Sequence, residues 1–207
     1  MTPPTLQILP VASAPAAENM AADLLLLEAY PEPAAARLRH YRWSEPAWTF
    51  GYSQKHAWAR AQVPGAFREE AALVRRPTGG GIVDHRADWT WALVLPPAHP
   101  LWAEPASCSY AAVHEGVAVA LRGAGVSVDL APCPGREALR AAGGPSLCFV
   151  RAEPSDVIRC DDGRKVAGAA MKRTRAGLLL QGSIDRAAAG VDLGWSFREA
   201  FARALAE

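Results

Sequence analysis

The run Arg75-Arg76-Pro77-Thr78-Gly79-Gly80-Gly81-Ile82-Val83-Asp84-His85 lies between two strand-like stretches, Ala72 to Arg76 and Trp89 to Leu95, and the reading of the whole chain turns on it. Three consecutive glycines carry no Cβ atoms, so the backbone can enter positive φ and lie directly against a ligand with its N–H groups presented. The two arginines beside them suit a carboxylate or a phosphate. No Gly-Lys-[Ser/Thr] follows, which excludes a P-loop, and the spacing does not match the G-x-G-x-x-G dinucleotide fingerprint. Taken alone, three glycines between strands also fit a flexible turn; the neighbouring residues decide between the two.

On either side of this loop the chain alternates short strands with a few helices. Ala16 to Tyr30 follows Pro15, places Met20, Leu24, Leu26 and Leu27 near one face, and reads as an amphipathic helix ended by Pro31 and Pro33. Leu38 to Trp43 and Ala47 to Tyr52 read as strands joined by Ser44-Glu45-Pro46 in a hairpin, and a short helix is expected from His56 to Ala61. Trp89 to Leu95 stops at Pro96-Pro97, and Ser107 to Leu121 reads as a helix with Ser107 or Ser109 as N-cap, closing near Gly123 and Gly125. Ala131 to Pro145, rich in Pro, Gly and Ala, is expected to be a mobile loop. Val157 to Cys160, Lys165 to Met171 and Leu178 to Ile184 read as three antiparallel strands, the first two joined by Asp161-Asp162-Gly163, and a helix over 196–205 follows. Strands broken by a few helices, without strict β-α alternation, predict an α+β fold with a mostly antiparallel mixed sheet and flanking helices.

The glycine-rich run resembles the RR-x-[ST]-G-G-x-x-V-x-H loop of the lipoate-protein ligase and octanoyltransferase family, with Arg75, Arg76, Thr78, Val83 and His85 at the family's positions. Asp88-Trp89-Thr90-Trp91 is similar to the strand that continues it in the octanoyltransferase branch. Gly163-Arg164-Lys165-Val166-Ala167-Gly168-Ala169-Ala170 resembles the family's G-R-K-[IV]-[AS]-G-[SA]-A segment, whose lysine meets the acyl carbonyl or the acyl-adenylate. A cation there stabilises charge developing on oxygen in the transition state. Weaker likeness runs from about residue 18 to about 185, including Trp43 to Gln54 and Leu180-Gln181-Gly182-Ser183-Ile184, where Gln181 stands in place of the family's usual histidine and leaves an amide instead of a titratable ring.

The resemblance implies a catalytic domain of the biotin and lipoate ligase superfamily, expected to span residues 1–207 as a single domain without a C-terminal accessory domain. It implies Lys165 and Cys148 as catalytic residues. Arg75, Arg76, Thr78, Gly79, Gly80, Gly81, His85, Gly168, Ala169, Gln181 and Gly182 are the implied substrate-binding residues, and no metal site is implied. Two mechanisms stay open. In the transferase, Cys148, in a Cys148-Phe149 and Pro154-Ser155-Asp156 context, forms a thioester with octanoate taken from acyl carrier protein, without a cofactor. In the ligase, ATP and Mg activate free lipoate. The cysteine context and the chain length favour the transferase, while Gly81, where transferases often carry arginine, favours the ligase. The acceptor in either case is a lysine of a lipoyl domain or of a glycine-cleavage H-type carrier protein. A biotin ligase lacks support, since its G-R-G-R-x-G-R loop is absent, and a non-catalytic lipoyl or acyl-carrier binding module is the third reading, kept open by Gln181.

The chain's 207 residues are half apolar with a formal charge of +1, a balance that gives no support for nucleic acid. No apolar run is long enough for a membrane span and the start has no secretion-signal pattern, so a cytoplasmic protein is expected. The four cysteines lack metal or disulfide spacing, and Cys108, Cys133 and Cys160 have no counterpart in the family pattern. His85 is a candidate base or a structural hydrogen-bonding residue. Arg37, Arg39 and Arg42, or Lys172, Arg173 and Arg175, are candidates for guiding an acidic carrier.

Overall fold

The computed structural model describes residues 6–30, 34–133 and 152–206. In chain order the elements are β1 (Leu6–Ile8), β2 (Ala12–Ala14), α1 (Ala16–Glu28), β3 (Ala36–Trp43), β4 (Ala47–Phe50) and α2 (His56–Gln62). A short 3-10 turn precedes β5 (Ala72–Arg75), β6 (Ile82–Asp84), β7 (Asp88–Leu95), α3 (Pro100–Ala103), α4 (Ala106–Gly123) and β8 (Val128–Leu130). The chain ends with β9 (Val157–Arg159), β10 (Lys165–Thr174), β11 (Gly177–Asp185), α5 (Arg186–Ala189) and α6 (Trp195–Ala206). The fold is α+β with a mixed, mostly antiparallel sheet, as expected.

The large sheet runs β1-β3-β7-β11-β10-β9-β8, with β2 also on β3; β1 and β2 lie parallel to β3 and every other pair is antiparallel. Period-2 alternation divides β7 and β11 between two cores. Trp89, Trp91, Leu93, Leu178, Leu180 and Ile184 face α4 and α6, whereas Ala92, Val94 and Leu179 face α1. The Trp89 ring meets Phe197 and Phe201 of α6 edge-on at 5.3 and 5.1 Å, and each such pair adds about 0.5–1.5 kcal/mol beyond its area burial.

The hairpin expected across Ser44-Glu45-Pro46 does not form. β4 leaves the large sheet and is the middle strand of a second one, parallel to β5 and antiparallel to β6. The local turn signal was sound; the partner was not, because Trp48 and Phe50 are buried in a separate core with Ala59, Val63 and Ile82. This small sheet carries the glycine-rich run between β5 and β6.

Three local expectations are also corrected. Within α1, Met20, Leu26 and Leu27 are buried but Leu24 is 38% exposed; its sheet-facing places go instead to Asn19 and Asp23. The helix α4 starts after Pro105 with no side-chain cap, because Ser109 Oγ turns back to Leu101 O at 2.7 Å. Arg37 and Arg39 are not surface guides. Alternation on β3 aims both at α1, where Arg39 donates to Asp23 Oδ1 (2.7 Å) and Asn19 Oδ1 (2.6 Å) and Arg37 to Leu26 O (2.5 Å). Arg42 stays exposed, as do Arg173 and Arg175. The expected loop falls outside the described residues beyond Cys133. None of the described helices is long and apolar enough to cross a membrane.

His114, wholly buried on α4, has its Nδ1 3.0 Å from Tyr110 O, so Nδ1 carries the proton and the ring is neutral. Burial pushes its pKa from the ordinary 6.5 down to about 4, against an opposing pull from Asp156. A depressed folded-state value means that the unfolded chain takes up a proton below about pH 6.5 while the native chain resists until about pH 4, so stability falls as pH falls through that window. At about pH 5 the loss attributable to His114 is on the order of 1–2 kcal/mol. Urea unfolding at about pH 7.5 and about pH 5 should show a smaller drop for His114→Gln than for the wild type; equal drops would remove His114 as a source.

Candidate active site

The glycine-rich run is seated against the end of β4. Gly51 N–H donates to Gly81 O at 3.2 Å and Tyr52 N–H to Thr78 O at 2.8 Å, an approach so close that a Cβ on Gly51 would stand 2.1 Å from Gly80 O. Arg76 is buried inside this bend: Nε and Nη2 donate to Gly79 O at 3.0 and 2.5 Å and Nη1 to Thr49 O at 3.3 Å. Arg75 points outward, donates to Tyr52 O and Gln54 O, and lies over the Phe50 ring. The pair thus braces the loop, and of the two only Arg76 borders the cavity described below.

Lys165 opens β10, and its direction is set by a bulge. Lys165 pairs with Ile158 and Ala167 with Val157, so β10 spends two residues where β9 spends one. Val166 and Ala167 both enter the core under α4 and α6, and Lys165, which strict alternation would send with Ala167, turns to the other face instead. Its ammonium lies 2.7 Å from Asp156 Oδ2, with side-chain exposures of 4% and 0%. Gly168 makes this fold-back possible, because a Cβ there would stand 2.6 Å from both Lys165 Cε and Nζ and 2.8 Å from Asp156 Oδ1. Asp156 also accepts from Glu153 N–H (2.6 Å) and from the Tyr110 hydroxyl (2.6 Å, to Oδ1).

Gln181 uses both ends of its amide. Nε2 donates to Asp23 Oδ2 and Oε1 accepts from the Thr78 hydroxyl, each at 2.8 Å, joining α1 to the glycine run through β11. Asp23 further accepts from Arg39 and from Tyr41 OH; burial raises its pKa while these partners oppose the rise. His85 is held at both nitrogens, Nδ1 at 2.7 Å from Asp88 Oδ2 and Nε2 at 2.8 Å from Thr49 Oγ1, and stacks on Trp43 at 4.2 Å. Asp88 is itself fixed by the Ser183 and Thr90 hydroxyls.

A cavity of about 220 Å3, mostly apolar in its exposed surface, lies between the two sheets. Gly80 and Gly81 border it from the loop, Gly168, Ala169, Gln181 and Gly182 from the large sheet, with Arg76, His85 and Lys165. Of the residues expected at the site, Arg75, Thr78 and Gly79 stand behind this wall, and Cys148 lies outside the described residues. Residues without an assigned role join it: Asp156 and Tyr110 beside Lys165, and Thr49, Asp88 and Ser183 around His85. Asp88 and Asp156 stood within the quoted motifs. Thr49 too lay in the quoted stretch Trp43 to Gln54, whereas Tyr110 carried no local signal, since only tertiary packing brings it in.

The family profile of the lipoyl protein ligase A/B catalytic domain matches residues 15–203. The chain belongs to this family. Among curated members it is similar to the octanoyltransferase LipM of Oceanobacillus iheyensis, 32% identical over 82% of this chain and 59% of that protein. To the LipM of Carboxydothermus hydrogenoformans it is 34% identical, over 81% of this chain and 60% of that protein. The chain therefore spans about three fifths of the length of these relatives. Solved structures share the lipoyl ligase fold. A T. acidophilum protein with bound lipoic acid superposes with a TM-score of 0.69 at 19% identity, covering 98% of this chain and 84% of that one. A lipoate-protein ligase A bound with ATP gives 0.67 at 17% identity with the same coverage.

Within this lipoyl ligase A/B domain the steric condition on the Lys165–Asp156 pair is Gly168. Gly168→Ala is expected to separate Lys165 from Asp156 and to destabilise the fold by about 1–3 kcal/mol, the usual cost of forcing a methyl into a packed site. Calorimetry together with a crystal structure of the variant would check this; an unchanged melting temperature with the ion pair intact would mean that β10 can yield.

Proposed function

We propose that this chain transfers a medium-chain acyl group, octanoyl in the first instance, to a lysine of a lipoyl domain or of an H-type carrier protein. The observation that carries the reading is the buried Lys165 ammonium, held by Asp156 at the wall of a largely apolar cavity bounded by a glycine-rich loop. An apolar slot takes an alkyl chain by removing it from water, and a fixed cation at its edge meets the acyl carbonyl, where oxygen gains negative charge as a nucleophile adds. The likeness to octanoyltransferases supports the same choice of acyl group.

In this mechanism the Cys148 thiolate adds to the carbonyl carbon of octanoyl-acyl carrier protein and the carrier's phosphopantetheine leaves as its thiolate, which takes a proton from water. The neutral amine of the acceptor lysine then adds to the thioester, the Cys148 thiolate departs, and the extra proton on the new amide nitrogen passes to water. Cys148 enters on sequence grounds, five residues before Glu153, which borders the cavity. His85, with Thr49 and Asp88 on its two nitrogens, orients the wall and is not the base in this scheme. Lys172, whose ammonium lies 5.5 Å from the Tyr52 ring centre, is on the side assigned to the carrier, whereas Arg173 turns to the other side of β10 and donates to Ser109 Oγ at 3.2 Å.

Intact-protein mass spectrometry tests the reading. The purified protein is mixed with octanoyl-acyl carrier protein and an apo lipoyl domain without ATP, and in parallel with free lipoate and Mg-ATP. The expected outcome is a hydroxylamine-sensitive acyl adduct that moves to the lipoyl domain without ATP. Cys148→Ser should abolish the thioester adduct, and Lys165→Met should lower kcat/KM by roughly two to three orders of magnitude, as loss of an oxyanion partner does. Modification only in the ATP mixture would replace the transferase with a ligase, and activity in neither would leave a binding module.

A further inference from the structure

We propose that Tyr110 is a positioning residue for acyl transfer: its hydroxyl locks Asp156, and through Asp156 holds the Lys165 ammonium at the cavity wall. The role in transfer rests on the function proposed above; the lock itself does not.

The ladder between β9 and β10 stops at Val157 opposite Ala167. There the chain leaves through Ser155, at φ 65°, and the next N–H along β10 on that side, Ala169, has no strand beside it among the described residues. The Tyr110 hydroxyl takes the strand's place, accepting from Ala169 N–H at 3.0 Å. A hydroxyl has one proton to give. Asp156 Oδ1 at 2.6 Å and Ala169 O at 3.1 Å both lie within reach, and the shorter contact to the carboxylate takes it. One oxygen atom thus ties together α4, β10 and the segment that carries Asp156.

This tie differs in kind from the other two on Asp156. Glu153 N–H belongs to the same short turn and moves with it, and Lys165 is the group to be placed. Tyr110 sits on α4, which is anchored through Val113, Val117 and Leu121 in the main core. Without the hydroxyl, Oδ1 of a wholly buried carboxylate loses its donor and the carboxylate is free to rotate away from Lys165. Catalytic groups must be held within about 0.5 Å, so loss of the tie acts on turnover more than on binding. Among the described residues, the other titratable groups facing this point are Glu153, which borders the cavity, and His114, whose ring lies 4.0 Å from that of Tyr110.

Two measurements on Tyr110→Phe test the inference, with Val113→Ala as a variant that loosens the same helix without touching Asp156. The first is steady-state octanoyl transfer, for which kcat should fall roughly tenfold or more with KM little changed. The second needs no turnover. The chain has only three lysines, so timed acetic anhydride labelling read by peptide mass spectrometry gives the pH dependence of Lys165 with Lys55 and Lys172 as internal references. Lys165 in Tyr110→Phe should label several-fold faster at a given pH, because an ammonium no longer held against a fixed carboxylate leaves the wall and meets the reagent more often. Wild-type labelling of Lys165 in Tyr110→Phe, or changes matched by Val113→Ala, would overturn the lock. Unchanged kcat despite altered labelling would overturn its part in transfer. Should the wild-type protein fail to modify any carrier, the functional reading falls and the labelling alone decides whether Tyr110 holds Asp156.

Discussion

One extra residue in β10, opposite the short strand β9, places the only lysine that reaches the cavity wall among the described residues. Sheet alternation would have sent Lys165 into the core beneath α4 and α6, where an ammonium would be stranded among leucines and tryptophans at a cost of several kcal/mol. The bulge returns it to the cavity face, and Gly168 leaves the volume through which the side chain folds. Asp156 then neutralises it. Each of these steps needs the one before, so the local irregularity, the missing Cβ and the buried carboxylate form a single device.

The cavity face of the sheet is polar in depth as well as at its edge. Arg39, Asp23, Gln181 and Thr78 form a continuous chain of hydrogen bonds from β3 through α1 and β11 to the glycine-rich run. A buried pair such as Arg39 and Asp23 adds little net stability over well-packed apolar residues, yet removal of one member typically costs about 3–5 kcal/mol. What such a network supplies is one register between the two sheets. His85 plays a matching part on the other side, with Asp88, Thr49 and Ser183 closing its bonds. The glycine-rich loop is therefore held by side chains from both sheets.

These features belong to a lipoyl protein ligase A/B catalytic domain, and they suit either way of presenting an acyl carbonyl to a lysine, as a thioester or as an adenylate. The part common to both is an apolar slot with a fixed cation at one wall. What distinguishes the two chemistries is the proposed nucleophile, Cys148, which lies outside the described residues.

Much of this was legible in the amino-acid order alone. The α+β class and the three C-terminal strands with the turn at Gly163 follow from local patterns, because strand period and turn residues act within a few residues, whereas Lys165 and the glycine-rich run were singled out by their resemblance to the family motifs. Partnership across the fold was not legible. Ser44-Glu45-Pro46 announces a turn but cannot say whether the next strand stays in the same sheet, and Arg37 and Arg39 look like solvent-facing charges until α1 brings Asn19 and Asp23 over them. Tyr110 lies 46 residues from Asp156, and no spacing rule connects them. The sequence by itself determined the longer elements and the places of the glycine-rich run and Lys165 along the chain, since those depend on neighbours along the chain; only the tertiary structure decided which carboxylate, hydroxyl and amide meet them, since buried polar groups take whatever partners the packing of distant elements delivers.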